Sequence, residues 1–194
     1  NISIRVNFSK AITLTGTMSV NLDSGGVCAI SAFVGTTATG IYTVLIGQNS
    51  SDLTATSIVV NGTARDSALN NLNTTLPGTN IATNSNIVID TTIPSVTSIQ
   101  SLTASGYYRA GQAINIIVSF SEPVTLSNGT LSMNLTSGGT VLFGAFSGTS
   151  VTGVYTVLVG ENTLTLNATS VSLTAGTLLD GSLNATSMVV PSTN

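Results

Sequence analysis

Seven carboxylates, three arginines, one lysine, one cysteine and four tyrosines are the side chains of this 194-residue chain that could carry out acid, base, nucleophilic or metal chemistry. Histidine and tryptophan are absent. Without histidine, Ser-His-Asp and Cys-His nucleophile systems and His-bearing metal centres are excluded. The acids Asp23, Asp52, Asp66, Asp90, Glu122, Glu161 and Asp180 are scattered, and none forms a close pair in sequence. General acid–base catalysis needs a positioned, perturbed group, and this spacing points to none, so the chain reads as non-enzymatic and without a cofactor.

Calcium is the better chemical candidate. Asp66 and Asp180 precede similar turns, and Asp90 lies close to Pro94, where the chain changes unit. The ion takes six to eight oxygens, commonly several from carboxylates, and no acidic cluster supplies them. The competing reading is an aspartate that opens an Asx turn. For sugars, the exposed aromatic platforms would have to be Tyr107 or Tyr108. Neighbours on a strand face opposite ways, so at most one can serve. Asn-x-Ser/Thr sequons begin at Asn1, Asn7, Asn49, Asn61, Asn73, Asn128, Asn134, Asn167 and Asn184, most of them at places that differ between the two copies described next. That distribution fits a diffuse glycan coat better than one recognition site.

The chain says nearly the same thing twice. Phe8-Ser9-Lys10-Ala11-Ile12-Thr13-Leu14 reads onto Phe120-Ser121-Glu122-Pro123-Val124-Thr125-Leu126, and Gly40-Ile41-Tyr42-Thr43-Val44-Leu45-Ile46-Gly47 onto Gly153-Val154-Tyr155-Thr156-Val157-Leu158-Val159-Gly160. A repeat of about 110 residues is too long for a solenoid and matches tandem domains, each with its own core. Thr91-Thr92-Ile93-Pro94 closes the first copy, since its proline cannot donate to a ladder. The domains are therefore residues 1–94 and 95–194. Cys28 aligns with Val141 and is expected to be a small buried hydrophobe. Tyr42 and Tyr155, being repeated, are expected in the core or at a corner.

Charged residues make up only 6% of the chain, with a net charge of −3, so nucleic acid and anionic membranes are poor partners. No apolar run approaches the length of a membrane span. Polarity comes from Ser, Thr and Asn, the usage of extracellular all-β proteins. The class is all-β: short runs of Val, Ile, Thr and Leu alternate with Gly, Asn and Ser, and no stretch keeps helical periodicity. In the second copy, strands are expected over 96–102, 114–120, 130–135, 141–146, 154–159, 163–166 and 188–190. Seven short strands in about 100 residues suggest an immunoglobulin-like sandwich. Ser24-Gly25-Gly26 and Ser137-Gly138-Gly139 are the matching turns, with glycine supplying positive φ.

Phe120-Ser121-Glu122-Pro123-Val124, Gly176-Thr177-Leu178-Leu179-Asp180 and Ile87-Val88-Ile89-Asp90-Thr91-Thr92-Ile93-Pro94 resemble the Ig-like repeats of prokaryotic surface-layer proteins and large repetitive adhesins. Asp66-Ser67-Ala68-Leu69-Asn70 is loosely similar to the Asp-Ala-Ala-Gly-Asn turn common in those repeats. The resemblance implies a β-sandwich spacer displayed at the cell surface, outside the cell.

Asn1 falls opposite Ala113, so the stretch from Ser95 to Gln112 has no counterpart in the first copy. The first domain is expected to lack its opening strand, leaving apolar core and an unpaired edge beside Ile2, Ile4 and Val6. Two explanations compete: the chain begins midway through a longer protein, or a strand from another subunit completes the domain. A contact of the second kind, repeated head to tail, builds a filament. The expectation is a tandem Ig-like β-sandwich subunit or segment of an extracellular prokaryotic filament, sheath or layer, partnered by copies of itself. Alternatives are the stalk of a large surface adhesin and a carbohydrate-binding module.

Overall fold

A computed structural model describes residues 1–192 and 194, which divide into two compact units, Asn1–Thr92 and Ile93–Asn194. Both are all-β; the one helix among the described residues is the single turn α1 (Ile81–Asn84). Unit 1 contains β1 (Ile2–Leu22), β2 (Val27–Tyr42) and β3 (Ala55–Arg65) in the order β2-β1-β3. Unit 2 contains β4 (Val96–Ser101), β5 (Ala113–Leu135), β6 (Thr140–Phe143), β7 (Phe146–Thr156) and β8 (Ala168–Leu179), and β5 pairs with each of the other four. Every ladder between these strands is antiparallel.

The strands expected over 114–120 and 130–135 are the two ends of one strand, β5, and β1 is its equivalent. Such length is possible because the strand changes partners partway. Ile2–Asn7 pair with Thr37–Tyr42, register is lost between Asn7 and Ile12, and from Thr13 the strand pairs with β3 as well as β2. In β5 the matching break lies between Ser119 and Val124 and contains Pro123, which has no N–H to give a ladder.

Three further expectations are corrected. Residues 163–166 and 188–190 form no strand: Leu164 is fully exposed, and the backbone beside Met188 makes only an isolated parallel bridge, Ser187 to Ser95. The expected strands over 141–146 and 154–159 are redrawn as β6 and β7, the second beginning at Phe146 and ending at Thr156. β8 was not expected at all. Its sequence, Ala-Thr-Ser-Val-Ser-Leu-Thr-Ala-Gly-Thr-Leu-Leu, buries only Ala168, Val171 and Leu178, so apolar alternation is nearly silent there. Pairing with β5 from Thr125↔Leu179 to Leu135↔Ala168 imposes the strand.

Each unit closes on its own core. Leu14, Met18, Val20, Cys28, Ile30, Tyr42 and Leu53 are buried in unit 1; Val118, Val124, Leu131, Met133, Val141, Phe143 and Tyr155 are buried in unit 2. Cys28 sits where unit 2 places Val141, and burial pushes its thiol pKa up. Between β1 and β3, Gly16 and Gly62 lie directly opposite at φ +89° and +123°. A Cβ on Gly62 would stand 2.0 Å from the Thr15 carbonyl oxygen, so backbone would have to move.

Gly62→Ala is expected to destabilise unit 1 by about 2–3 kcal/mol, seen as an earlier unfolding transition in denaturant. Cys28 is expected to stay unmodified by a thiol reagent under native conditions and to react fully once denaturant unfolds the chain, because its sulfur is enclosed and protonated.

Candidate functional site

Tyr42, Tyr155 and several acids are engaged in holding turns. The ring of Tyr42 lies over Gly26, where a Cβ would meet it at 2.3 Å, and Tyr155 covers Gly139 in the same way at 2.4 Å. The Tyr42 hydroxyl is hydrogen-bonded to Ser24 Oγ (2.9 Å) and donates to Gln48 Oε1 (2.8 Å), which also accepts from the Leu45 N–H (2.9 Å). In unit 2 the Tyr155 hydroxyl is hydrogen-bonded to Ser137 Oγ (2.9 Å) and donates to Glu161 Oε2 (2.7 Å), which accepts from the Leu158 N–H (2.8 Å). Burial raises the Tyr155 pKa, and the Glu161 carboxylate adds to the rise against the opposing Ser137 bond. Gly25 and Gly138 have φ +81° and +87°, as the turn reading requires.

Asp66 and Asp180 open matching turns. Asp66 Oδ1 accepts from the Ala68 and Asn70 N–H groups (3.0 and 2.9 Å), and Asp180 Oδ1 from those of Ser182 and Asn184 (both 2.8 Å). The side-chain amides of Asn70 and Asn184 close each ring on Oδ2 (3.0 and 2.9 Å). Leu69 and Leu183 hold positive φ, 67° and 69°, at the place where the Asp-Ala-Ala-Gly-Asn pattern has glycine. Lys10 Nζ, at the end of an exposed side chain, lies 3.6 Å from Oδ2 of the half-buried Asp66, a pair of small energetic weight. At the place of Lys10, unit 2 has Glu122, whose carboxylate lies within 4.8 Å of that of the buried Asp180. Asp90 Oδ1 accepts from the Thr92 N–H (2.9 Å). Thus Asp66, Asp90 and Asp180 all make Asx-turn bonds, and neither unit by itself gathers three metal-capable side chains among the described residues.

Tyr107 is fully exposed, whereas Tyr108 packs on the core of unit 2 and its hydroxyl donates to the Ala104 carbonyl. Of the sequon asparagines, Asn1, Asn7, Asn49, Asn61, Asn73, Asn128 and Asn134 are exposed; Asn167 and Asn184 are half-buried.

The residues Ile2, Ile4 and Val6 line a groove. One edge of Ile2–Asn7 is paired with β2, but β3 begins its pairing only at Thr13↔Arg65, and no strand among the described residues covers the other edge. In unit 2 the equivalent edge is covered: β4 pairs with β5 from Val96↔Phe120 to Ser101↔Ile116. Burial records the difference. Ile114, Ile116, Val118 and Phe120 are all buried, while of their equivalents Ile2, Ile4, Val6 and Phe8 only Ile4 is. Beside this edge lies a cavity of about 760 Å3, walled on the far side by Leu72, Leu76, Ile81 and Ile87.

Sequence reasoning missed that far wall. Residues 71–86 are rich in Asn, Thr and Ser and show neither period 2 nor a sustained helical period, so they read as loop. The available signal was Asn80: it caps α1 with Thr83, and its side chain both accepts from the Ala55 N–H (3.1 Å) and donates to the Ala55 carbonyl (2.8 Å), pinning the wall to β3. In unit 2, Asn194 Oδ1 accepts from the Ala168 N–H (2.6 Å), while its amide donates to the Pro191 carbonyl (3.1 Å).

The aspartate turns generate a pH dependence. In Asp66 the Asn70 side-chain bond, then its backbone N–H, hold the pKa below the usual carboxylate range; in Asp180 burial pushes upward but is outweighed by bonds from Asn184, Ser182 and Leu183. A depressed folded-state pKa stabilises the fold above the unfolded value, about 3.9, and that contribution is lost as pH falls through the folded value. The double variant Asp66→Asn, Asp180→Asn is therefore expected to melt below the parent at about pH 7, with the gap in Tm narrowing toward about pH 3. No family model, curated protein or solved structure matches this chain.

Proposed function

We propose that this chain is a structural, non-enzymatic subunit or segment of an extracellular prokaryotic surface filament, sheath or layer, built from two tandem Ig-like β-sandwich domains. The observation that carries the reading is the uncovered edge of Ile2–Asn7 beside an apolar groove, in a chain whose second unit covers the same edge with β4. Natural sheets protect open edges with charge, proline or a covering segment. Here only Arg5 lies on the open stretch itself, with Lys10 just beyond it. A sheet edge left in this state is suited to pairing with another polypeptide, and a pairing that repeats without closing makes a fibre.

The chemistry of the rest supports a structural role. Cys28 is enclosed in the core; Asp66, Asp90 and Asp180 bind their own turns; and Glu161 holds the Tyr155 corner. The Ser-, Thr- and Asn-rich surface suits an assembly exposed to changing salt, since few of its contacts are ionic. Exposed sequons at Asn7, Asn49, Asn61, Asn73, Asn128 and Asn134 would add a glycan coat in a host that glycosylates. Stalk repeats of an adhesin share this architecture and are the second reading, favoured by the internal duplication alone.

Electron microscopy of the native surface material is expected to show ordered polymers containing this chain as their repeating mass. Dispersed particles of one chain each, at the concentrations found at the cell surface, would overturn the polymer reading.

A further inference from the structure

We propose that the unit 1 groove is the docking site for one extended β-strand supplied by a neighbouring polypeptide, running antiparallel to Ile4–Phe8. This deepens the structural reading above and rests on it in one respect, that the strand comes from another chain.

Unit 2 shows what such an occupant looks like. There β4 lies on β5 with Ile99 opposite Val118, Gln100 opposite Ile117 and Ser101 opposite Ile116, and it sends Val96 and Ile99 into the core. Carried to the equivalent residues of unit 1, the same register sets the incoming strand against Phe8, Val6, Arg5 and Ile4. The occupant is thus a strand with branched apolar side chains at the two positions that Val96 and Ile99 hold. Those side chains would enter the cavity between Val6 and Phe8 on one wall and Leu76 and Ile81 on the other, while the backbone completes the ladder on the free edge of β1. Serine, threonine or glutamine at the remaining positions, as in Thr97, Ser98 and Gln100, would face away from the core. The groove does not depend on the occupant for its shape: Ile4 and Ile12 are buried without it, and Asn80 ties the far wall to β3.

The test uses the full chain and a synthetic peptide of the sequence Ser95–Thr103, with amide hydrogen exchange read at Ile2–Asn7 and, as an internal control, at the covered residues Ile116–Ser119. Saturable binding of one peptide per chain is expected, slowing exchange on the open edge by about tenfold or more and leaving the control residues unchanged. The Ile99→Asp peptide is expected to lose that protection, because a carboxylate cannot enter the apolar cavity unpaired. No slowing at Ile2–Asn7, or equal protection by both peptides, would overturn the docking site. In native polymers, density tracing that shows the groove filled by a neighbour supports the source, and filling by residues continuous with the same chain overturns it. Peptide binding in a protein that never polymerises would overturn the filament reading while upholding the groove as a strand acceptor.

Discussion

Each unit hangs on one central strand, and what that strand can bond to on its two edges governs the rest. β1 and β5 both run through the whole of their unit, pair with one set of partners, break register, and continue with another. Backbone N–H and C=O groups in a core cannot go unpaired without a penalty comparable to a lost hydrogen bond, so every stretch of the central strand needs a neighbour on each side or water. In β5 that requirement is met along Ile116–Ser119 by β4 and β7 together. In β1 the equivalent stretch is met on one side only among the described residues. The half-burial of Ile2, Val6 and Phe8 follows directly from that single missing neighbour.

The two copies act as internal controls for one another. Where they agree, the position is under a packing or hydrogen-bonding constraint common to both: tyrosine over glycine at Tyr42–Gly26 and Tyr155–Gly139, and aspartate closing a turn with asparagine at Asp66–Asn70 and Asp180–Asn184. Where they differ, chemistry has been exchanged within a fixed frame. Gln48 and Glu161 accept the same two bonds, one neutral and one charged. Cys28 and Val141 fill the same place, both fully buried. The largest difference is the covering strand: among the described residues no ladder runs along the second edge of Ile2–Asn7, whereas β4 runs along that of Ile116–Phe120.

A charge-poor chain must make its specific contacts with hydroxyls and amides, and this one does so throughout. Asn80 and Asn194 pin segments to strands, Thr15 and Thr63 join across the β1–β3 ladder at 2.8 Å, and Asn21 donates to Ser57 at 2.8 Å. Such bonds are individually modest and insensitive to ionic strength. They also leave Arg5 as the one charged side chain on the open stretch Ile2–Asn7 of β1, where many sheet edges carry several.

The all-β class, the duplication, the glycine turns and the burial of Cys28, Tyr42 and Tyr155 were legible in the residues, because each is set by local chemistry: β-branched content, positive φ, or an apolar side chain repeated at one place. The uncovered edge at Ile2, Ile4 and Val6 was legible too, through the comparison of Asn1 with Ala113. Strand extent was not. β8 is a strand because β5 offers it a ladder, and residues 188–190, though more apolar, are not one because no ladder reaches them. Nor did the sequence reveal the groove's far wall, where Leu72, Leu76 and Ile81 come from a polar-looking loop. Alternation and turn chemistry act over a few residues and so could be read directly from the chain, but hydrogen-bond partners distant in sequence are chosen only when the sheet closes, and that choice belonged to the tertiary structure.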